Sequence, residues 1–224
     1  MRKIHYRNIG FPKTGTNWLW AQLGKHPSID GKFDVYYKEY KANDIDSYKK
    51  IYEPYDITYN MDPHVFIEHD EGNYLRPERI HEHATHLTMI FRSPYEVLNS
   101  MYNMGRNKNL NYLIPRHEYI DIKNNMARMY SNITGMLKYW EACILPIKYM
   151  LYDDLKNDPK QFMHDICDHI GIKPFYDPNK GIIFPTEIND PLVFDNKETI
   201  DYINKEISVI ENLMQRDLSH WKKQ

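Results

Sequence analysis

The sequence is short of cysteine, of net charge and of long apolar runs. Of its 224 residues two are cysteines, and 29 basic residues against 31 acidic ones give a formal net charge of −2 at pH 7. The cysteines, Cys143 and Cys167, form no C-x-x-C pair, so we expect buried, reduced thiols and a reducing compartment. The balanced charge excludes a global basic field, and we expect no nucleic-acid partner.

Apolar residues are spread along the chain rather than gathered into a targeting or membrane segment. The amino terminus lacks the apolar core of a secretory signal, and no run approaches the ~18 apolar residues that indicate a membrane span. We therefore expect a soluble, cytoplasmic protein without a membrane partner. The length suits a single domain over residues 1–224, and the 42% hydrophobic content is sufficient for its core.

The most informative stretch reads as a strand, a glycine-bearing loop and a helix. Residues 3–9 are typical of a strand, Gly10 and Gly15 interrupt regular structure, and apolar residues at helical spacing begin at Trp18. In this order the N–H groups of the loop and the positive end of the helix dipole point at one anion. Lys13 lies inside the loop and can reach the same anion. Two hydroxyl groups add further donors, those of Thr14 and Thr16.

This loop differs from the Walker A loop of nucleotide kinases and NTPases, which reads G-x-x-x-x-G-K-[ST]. Gly10 and Gly15 have the Walker separation, but Thr16 and Asn17 stand where the lysine and the Mg²⁺-binding hydroxyl belong. A P-loop kinase or NTPase therefore remains an alternative of lower rank. A tight surface turn before a core helix is the alternative without any bound anion.

Strands and helices alternate along the rest of the chain, which predicts an α/β fold with a parallel central sheet and helices on both faces. The predicted strands cover residues 3–9, 33–37, 56–60, 87–91 and 146–152. The predicted helices start near residues 18, 43, 77, 95, 120, 159 and 198, and the helix from 120 is expected to run to 143. Residues 105–115 are polar and predicted to form a long loop.

Two motifs together resemble those of sulfotransferases that use 3′-phosphoadenosine 5′-phosphosulfate (PAPS). P-K-T-G-T-N-W at residues 12–18 resembles the P-K-[ST]-G-T-T-W loop that holds the 5′-phosphosulfate. R-S-P-Y-E-V-L-N-S-M-Y at residues 92–102 resembles the second signature, whose arginine and serine bind the 3′-phosphate. The resemblance implies the following cofactor-binding residues: Lys13, Thr14, Gly15, Thr16, Asn17, Trp18, Arg92 and Ser100.

Further stretches match more weakly. P-E-R-I at residues 77–80 and Y-D-D-L at 152–155 resemble family elements, and Lys180 with Gly181 faintly resembles a loop that covers the cofactor. In the family the tryptophan of the first loop stacks on adenine, which is the role implied for Trp18. The alternative is that Trp18 is a core residue of the first helix.

The resemblance leaves two candidates for the general base. Glu39, in K-E after a predicted strand, resembles the catalytic glutamate of heparan-type members. His64 lies about where cytosolic small-molecule members carry a catalytic histidine. We favour Glu39, because a residue following a strand points toward the carboxyl-end crevice of the sheet. Lys13 is the third predicted catalytic residue, as the cation at the leaving oxygen.

The resemblance thus implies transfer of a sulfuryl group from PAPS to a hydroxyl or amine, releasing 3′-phosphoadenosine 5′-phosphate (PAP) without a metal. The acceptor would be a small molecule or a carbohydrate, and its identity is not readable from the sequence. The alternatives are the nucleotide kinase or NTPase and a nucleotide-binding module that catalyses no reaction.

Overall fold

The computed structural model describes residues 3–29, 31–32, 55–62, 77–78, 80–82, 84–107, 115–123, 125–179, 188 and 190–224. Within these ranges the strands are β1 (Ile4–Ile9), β2 (Gly31–Lys32), β3 (Ile57–Asp62), β4 (His86–Phe91) and β5 (Ile147–Leu151). The helices are α1 (Thr16–Leu23), α2 (Pro94–Asn107), α3 (Arg116–Ile120), α4 (Asn125–Ser131), α5 (Ile133–Trp140), α6 (Tyr152–Asn157), α7 (Pro159–Ile170) and α8 (Lys197–Met214). The described residues also contain two 3₁₀ turns, Ile80–Glu82 and Ser219–Trp221.

The strands form one sheet in the order β2-β3-β1-β4-β5, and every described pairing is parallel. From β1 the chain proceeds to β2 and β3 on one side, whereas from β4 it proceeds to β5 on the other side. The connections that leave β1 and β4 therefore run in opposite directions. In open α/β sheets ligands bind at such a switch point, outside the carboxyl ends of the strands.

Successive side chains of the strands point to opposite faces of the sheet and belong to two buried clusters, one on each face. On one face Tyr6, Ile90 and Met150 pack with α1 and α7. On the other face Met89 and Phe91 pack with α2, α4, α5 and α8. Burial on both faces is what parallel strands require. The predicted α/β class, with a parallel sheet covered by helices on both faces, is confirmed.

Local sequence signals account for the ends of α7. The side chain of Asp158 accepts a hydrogen bond from the Gln161 N–H, and Pro159 occupies the first turn, where its missing N–H costs nothing. Gly171 ends the helix in the left-handed conformation, with φ of 74°. The sequence predicts a helix that starts at Asp158-Pro159 and stops at Gly171, and both ends are confirmed.

The helix predicted over residues 120–143 is wrong, because the chain breaks into α3, α4 and α5. Asn132 accepts a hydrogen bond from the Gly135 N–H at 2.8 Å and so caps α5 instead of continuing α4. The predicted loop from residue 105 also begins too early, since α2 extends through Gly105 to Asn107. A helix was predicted to begin near residue 77, and the structure instead has the 3₁₀ turn Ile80–Glu82.

Some predictions fall outside the described residues, namely the strand over 33–37 and the helix from 43. Both cysteines are free thiols; Cys167 is buried as expected, whereas Cys143 is only half-buried. Burial raises the pKa of both thiols, and the reducing compartment stays a prediction. None of the helices in the described ranges combines the length and apolar character needed to cross a membrane.

Candidate active site

The loop after β1 has an unusual backbone. Three of its residues have positive φ angles: Gly10 at 116°, Lys13 at 65° and Gly15 at 91°. The Thr14 hydroxyl donates to the Phe11 carbonyl at 3.0 Å, which closes the loop on itself. A lysine in the left-handed region is uncommon, and such strain is concentrated at functional sites. The loop thus turns Lys13 toward the switch point and leads into the first turn of α1.

The φ angle of Gly15 favours glycine, and helix α6 packs closely against the same residue. A Cβ atom added here would lie 2.7 Å from Leu155 Cδ2 and 3.1 Å from Tyr152 Cε2. Helix α6 therefore sits directly against the loop. The first N–H groups of α1, from Thr16 onward, have no acceptor within their own helix and carry the positive end of its dipole. This arrangement suits an anion.

Arg92 follows β4 and joins the two predicted phosphate-binding motifs. Its Nη1 donates to the carbonyl oxygen of Lys13 at 2.8 Å, and its Nε donates to Glu96 Oε2 at 2.7 Å. Its guanidinium carbon lies 4.5 Å from the centre of the Tyr152 ring. The Arg92 side chain is 20% exposed, so part of the fork remains accessible to a ligand.

One face of α2 brings the predicted residues into the same crevice. Glu96, Ser100 and Met104 are spaced four residues apart, so they lie in succession along one side of the helix. Glu96 contacts Arg92, and Met104 Sδ accepts a hydrogen bond from Lys13 Nζ at 3.4 Å. Ser100, 6% exposed, lies one turn from each. The structure therefore gathers Lys13, Arg92 and Ser100 at the edge between β1 and β4.

The remaining predicted residues of the loop have different surroundings. Thr14 and Thr16 are buried, and Asn17 is exposed at the start of α1. Trp18 is 7% exposed and packs edge-on against Phe162, with ring centroids 6.2 Å apart. This packing favours a core role for Trp18, and its stacking on adenine stays a prediction. No metal-binding cluster of three or more His, Cys, Asp or Glu side chains occurs within the described ranges.

Four predicted residues fall outside the described ones. They are the two base candidates, Glu39 and His64, and the weakly assigned pair Lys180 and Gly181. The choice of the general base and the contribution of the second loop stay predictions.

The structure also places Tyr152 at the site, a residue to which no role was assigned from the sequence. Phe91 and Leu151 are register partners in β4 and β5, so the residues that follow them, Arg92 and Tyr152, emerge side by side. The Tyr152 ring supports the Arg92 guanidinium and borders Gly15. The Y-D-D-L resemblance was the available signal, but only the register of the sheet shows which residues it contacts.

Comparison with known proteins assigns the family. The sulfotransferase domain family matches residues 8–184, most of the chain. A search of curated protein sequences finds no match. Among solved structures, a sulfotransferase from Alicyclobacillus acidocaldarius is similar with a TM-score of 0.67 at 15% identity, over 100% of both chains. Mouse sulfotransferase SULT7A1 complexed with PAP is similar with a TM-score of 0.52 at 15% identity, over 98% of this chain and 88% of that chain.

At these identities the solved structures show a shared fold, whereas the domain match covers both the loop after β1 and the region of Arg92. Members of the matched family use PAPS as the sulfuryl donor. The chain therefore belongs to the sulfotransferase family, and its activity is sulfuryl transfer.

Proposed function

We propose that the crevice between β1 and β4 binds PAPS and that the chain transfers its sulfuryl group to a hydroxyl or amine acceptor, releasing PAP. The observation that carries this proposal is the hydrogen bond from Arg92 Nη1 to the Lys13 carbonyl. This hydrogen bond joins the loop that we assign to the 5′-phosphosulfate to the arginine that we assign to the 3′-phosphate. We also propose that residues 1–224 act as one catalytic domain, which is supported by the full coverage of a sulfotransferase of similar fold.

The donor set fits a ligand with two separate anionic ends. The loop after β1 offers backbone N–H groups, the helix dipole and the Lys13 ammonium to the 5′-phosphosulfate. Arg92 and Ser100 offer a guanidinium fork and a hydroxyl to the 3′-phosphate. Bound PAPS would supply an activated sulfuryl group on a phosphate leaving group.

The chain's own residues would supply positioning, cationic stabilisation and a base. Lys13 and the amino terminus of α1 stabilise negative charge where it develops at the leaving oxygen. The acceptor proton is taken by a general base, for which we favour Glu39 over His64. We propose that no metal is required, because Lys13 and Arg92 provide the cations.

The acceptor class we propose is a small molecule or a carbohydrate. The kinase or NTPase alternative has no support from the site, since Thr16 replaces the Walker lysine. A binding module without catalysis would bind PAP and transfer nothing.

The test is incubation of the purified chain with isotope-labelled PAPS and a panel of sugar, phenol and amine acceptors, with EDTA present and products identified by mass spectrometry. We expect sulfated product with at least one acceptor and PAP formed in equal amount. PAP binding without any sulfated product across the panel would favour the binding module. A parallel incubation replaces PAPS and EDTA with ATP and Mg²⁺, and nucleotide turnover there would favour the kinase.

A further inference from the structure

A buried carboxylate connects helix α6 to the segment that follows α8, residues 215–224. Asp153 Oδ2 accepts hydrogen bonds from His220 Nε2 and from Trp221 Nε1, each at 2.8 Å. Its Oδ1 pairs with Lys156 Nζ at 2.9 Å. Because a carboxylate only accepts, both ring nitrogens must donate to it. One side chain thus anchors two residues of the post-α8 segment.

The surroundings of Asp153 keep it ionised. The residue is 9% exposed, and Trp221 is 6% exposed. Burial alone would raise the pKa of the Asp153 carboxyl, but the hydrogen bonds from His220, Lys156 and Trp221 together outweigh burial and lower the pKa below its usual value. This buried charge is costly to disturb. Removing a donor leaves the carboxylate less well compensated, and removing the carboxylate leaves its donors without their acceptor.

The helix that carries Asp153 also forms one wall of the candidate active site. Tyr152 lies under the Arg92 guanidinium, and Leu155 and Tyr152 border Gly15 so closely that a Cβ atom there would force the Leu155 side chain to shift. Asp153 stands between these two residues on a helix of six residues. So short a helix is not stable through its own hydrogen bonds, and its orientation depends on tertiary contacts.

We propose that Asp153 is a positioning residue for donor binding, held by His220 and Trp221 so that α6 presents Tyr152 to Arg92 and Leu155 to the loop after β1. This inference rests on the proposed function. The post-α8 segment then acts on the site through α6, which it contacts at Asp153. Loss of the anchor lets α6 rotate and loosens both phosphate subsites together.

The same helix offers a matched control. Asp154, the next residue, forms an ion pair with Arg216 Nη1 at 2.6 Å, and the two side chains are 40% and 45% exposed. An exposed pair of this kind contributes little. Asp154→Asn therefore makes the same chemical change one residue away, and it also removes a contact to the post-α8 segment.

Two variants disrupt the anchor from opposite sides. In the wild type both carboxylate oxygens of Asp153 accept hydrogen bonds. Asp153→Asn replaces one of these oxygens with an NH₂ group, which then faces another donor. Trp221→Phe keeps an aromatic ring but removes the Nε1–H donor. The second variant keeps the test open if Asp153→Asn fails to fold.

The experiment is isothermal titration of PAP into the wild type, Asp153→Asn, Trp221→Phe and Asp154→Asn, at a temperature where circular dichroism shows each protein folded. We expect Kd to rise about tenfold in both anchor variants, equivalent to about 1.4 kcal/mol, with a binding stoichiometry near one. The control should stay within about twofold of the wild type. A merely structural role would lower the melting temperature or the stoichiometry and leave Kd unchanged.

Wild-type Kd in a folded anchor variant would overturn the inference. So would an equal loss in the Asp154→Asn control. Absence of PAP binding to the wild type would instead overturn the proposed function, and this inference with it.

Discussion

Replacing Arg92 by alanine removes the side chain that joins the two halves of the candidate site. The change deletes the hydrogen bond to the Lys13 carbonyl, the pair with Glu96 and the contact with the Tyr152 ring. It also deletes the guanidinium fork that we assign to the 3′-phosphate. The variant should therefore lose stability and affinity for PAP as two separable effects.

The contacts that the substitution removes give the expected loss of stability and of affinity for PAP. The hydrogen bond to Lys13 contributes about 1 kcal/mol, the exposed pair with Glu96 less than about 1, and the ring contact about 0.5–1. The free energy of unfolding should therefore fall by about 2 kcal/mol. Loss of a charge-assisted fork to phosphate should weaken PAP binding by about 2 kcal/mol or more, roughly thirtyfold.

Calorimetry with PAP and with its 3′-dephosphorylated counterpart separates the two effects. Wild type should prefer PAP strongly, and Arg92→Ala should lose most of that preference while its affinity for the dephosphorylated nucleotide changes less. Arg216→Ala, which removes an exposed arginine from its ion pair with Asp154, is the control and should keep the preference. If Arg92→Ala still discriminates between the two nucleotides as well as wild type, the assignment is refuted.

Three further predictions test catalysis and stability. Lys13→Ala should lower turnover by about 10² or more, the scale of losing a charge stabiliser, and single-turnover rates within threefold of wild type would remove Lys13 from the mechanism. Glu39→Gln should bind PAP normally yet lose about 10²–10⁴ in turnover, whereas His64→Ala should lose much less, and the opposite ranking would reverse our choice of base. Burial lowers the pKa of His169, whose Nε2 lies 2.9 Å from the Leu87 carbonyl oxygen, so the unfolded chain binds the proton more readily. His169 should then contribute stability that is fully present above about pH 6.5 and is lost as pH drops below it, and urea titrations of His169→Gln should show a shallower fall over that range.

Local chemistry explains which parts of the fold were predictable. The loop after β1, the turn after β4 and the ends of α7 depend on short-range signals such as Gly15, Asp158 and Gly171, and all three appear where the sequence puts them. The prediction of one helix over residues 120–143 was wrong because the apolar spacing continues across the break at Asn132. Residues on both sides of that break pack into the same cluster, so periodicity alone does not reveal it.

The contacts between residues of the site were harder to predict than the motifs that contain those residues. Arg92 and Lys13 were identified separately, but their hydrogen bond depends on β1 and β4 being neighbours in the sheet. The support from Tyr152 depends on the register of β5, and the anchoring of Asp153 depends on the fold of residues 215–224. Each of these contacts joins residues far apart in sequence, and no local pattern specifies them.

A crystal structure of the chain with PAP bound would show whether the crevice between β1 and β4 holds the nucleotide. We expect the 5′-phosphate at the backbone N–H groups of residues 13–17 and the 3′-phosphate within hydrogen-bond distance of Arg92 and Ser100. A nucleotide bound away from the crevice between β1 and β4, or bound there with its 3′-phosphate remote from Arg92, would contradict it.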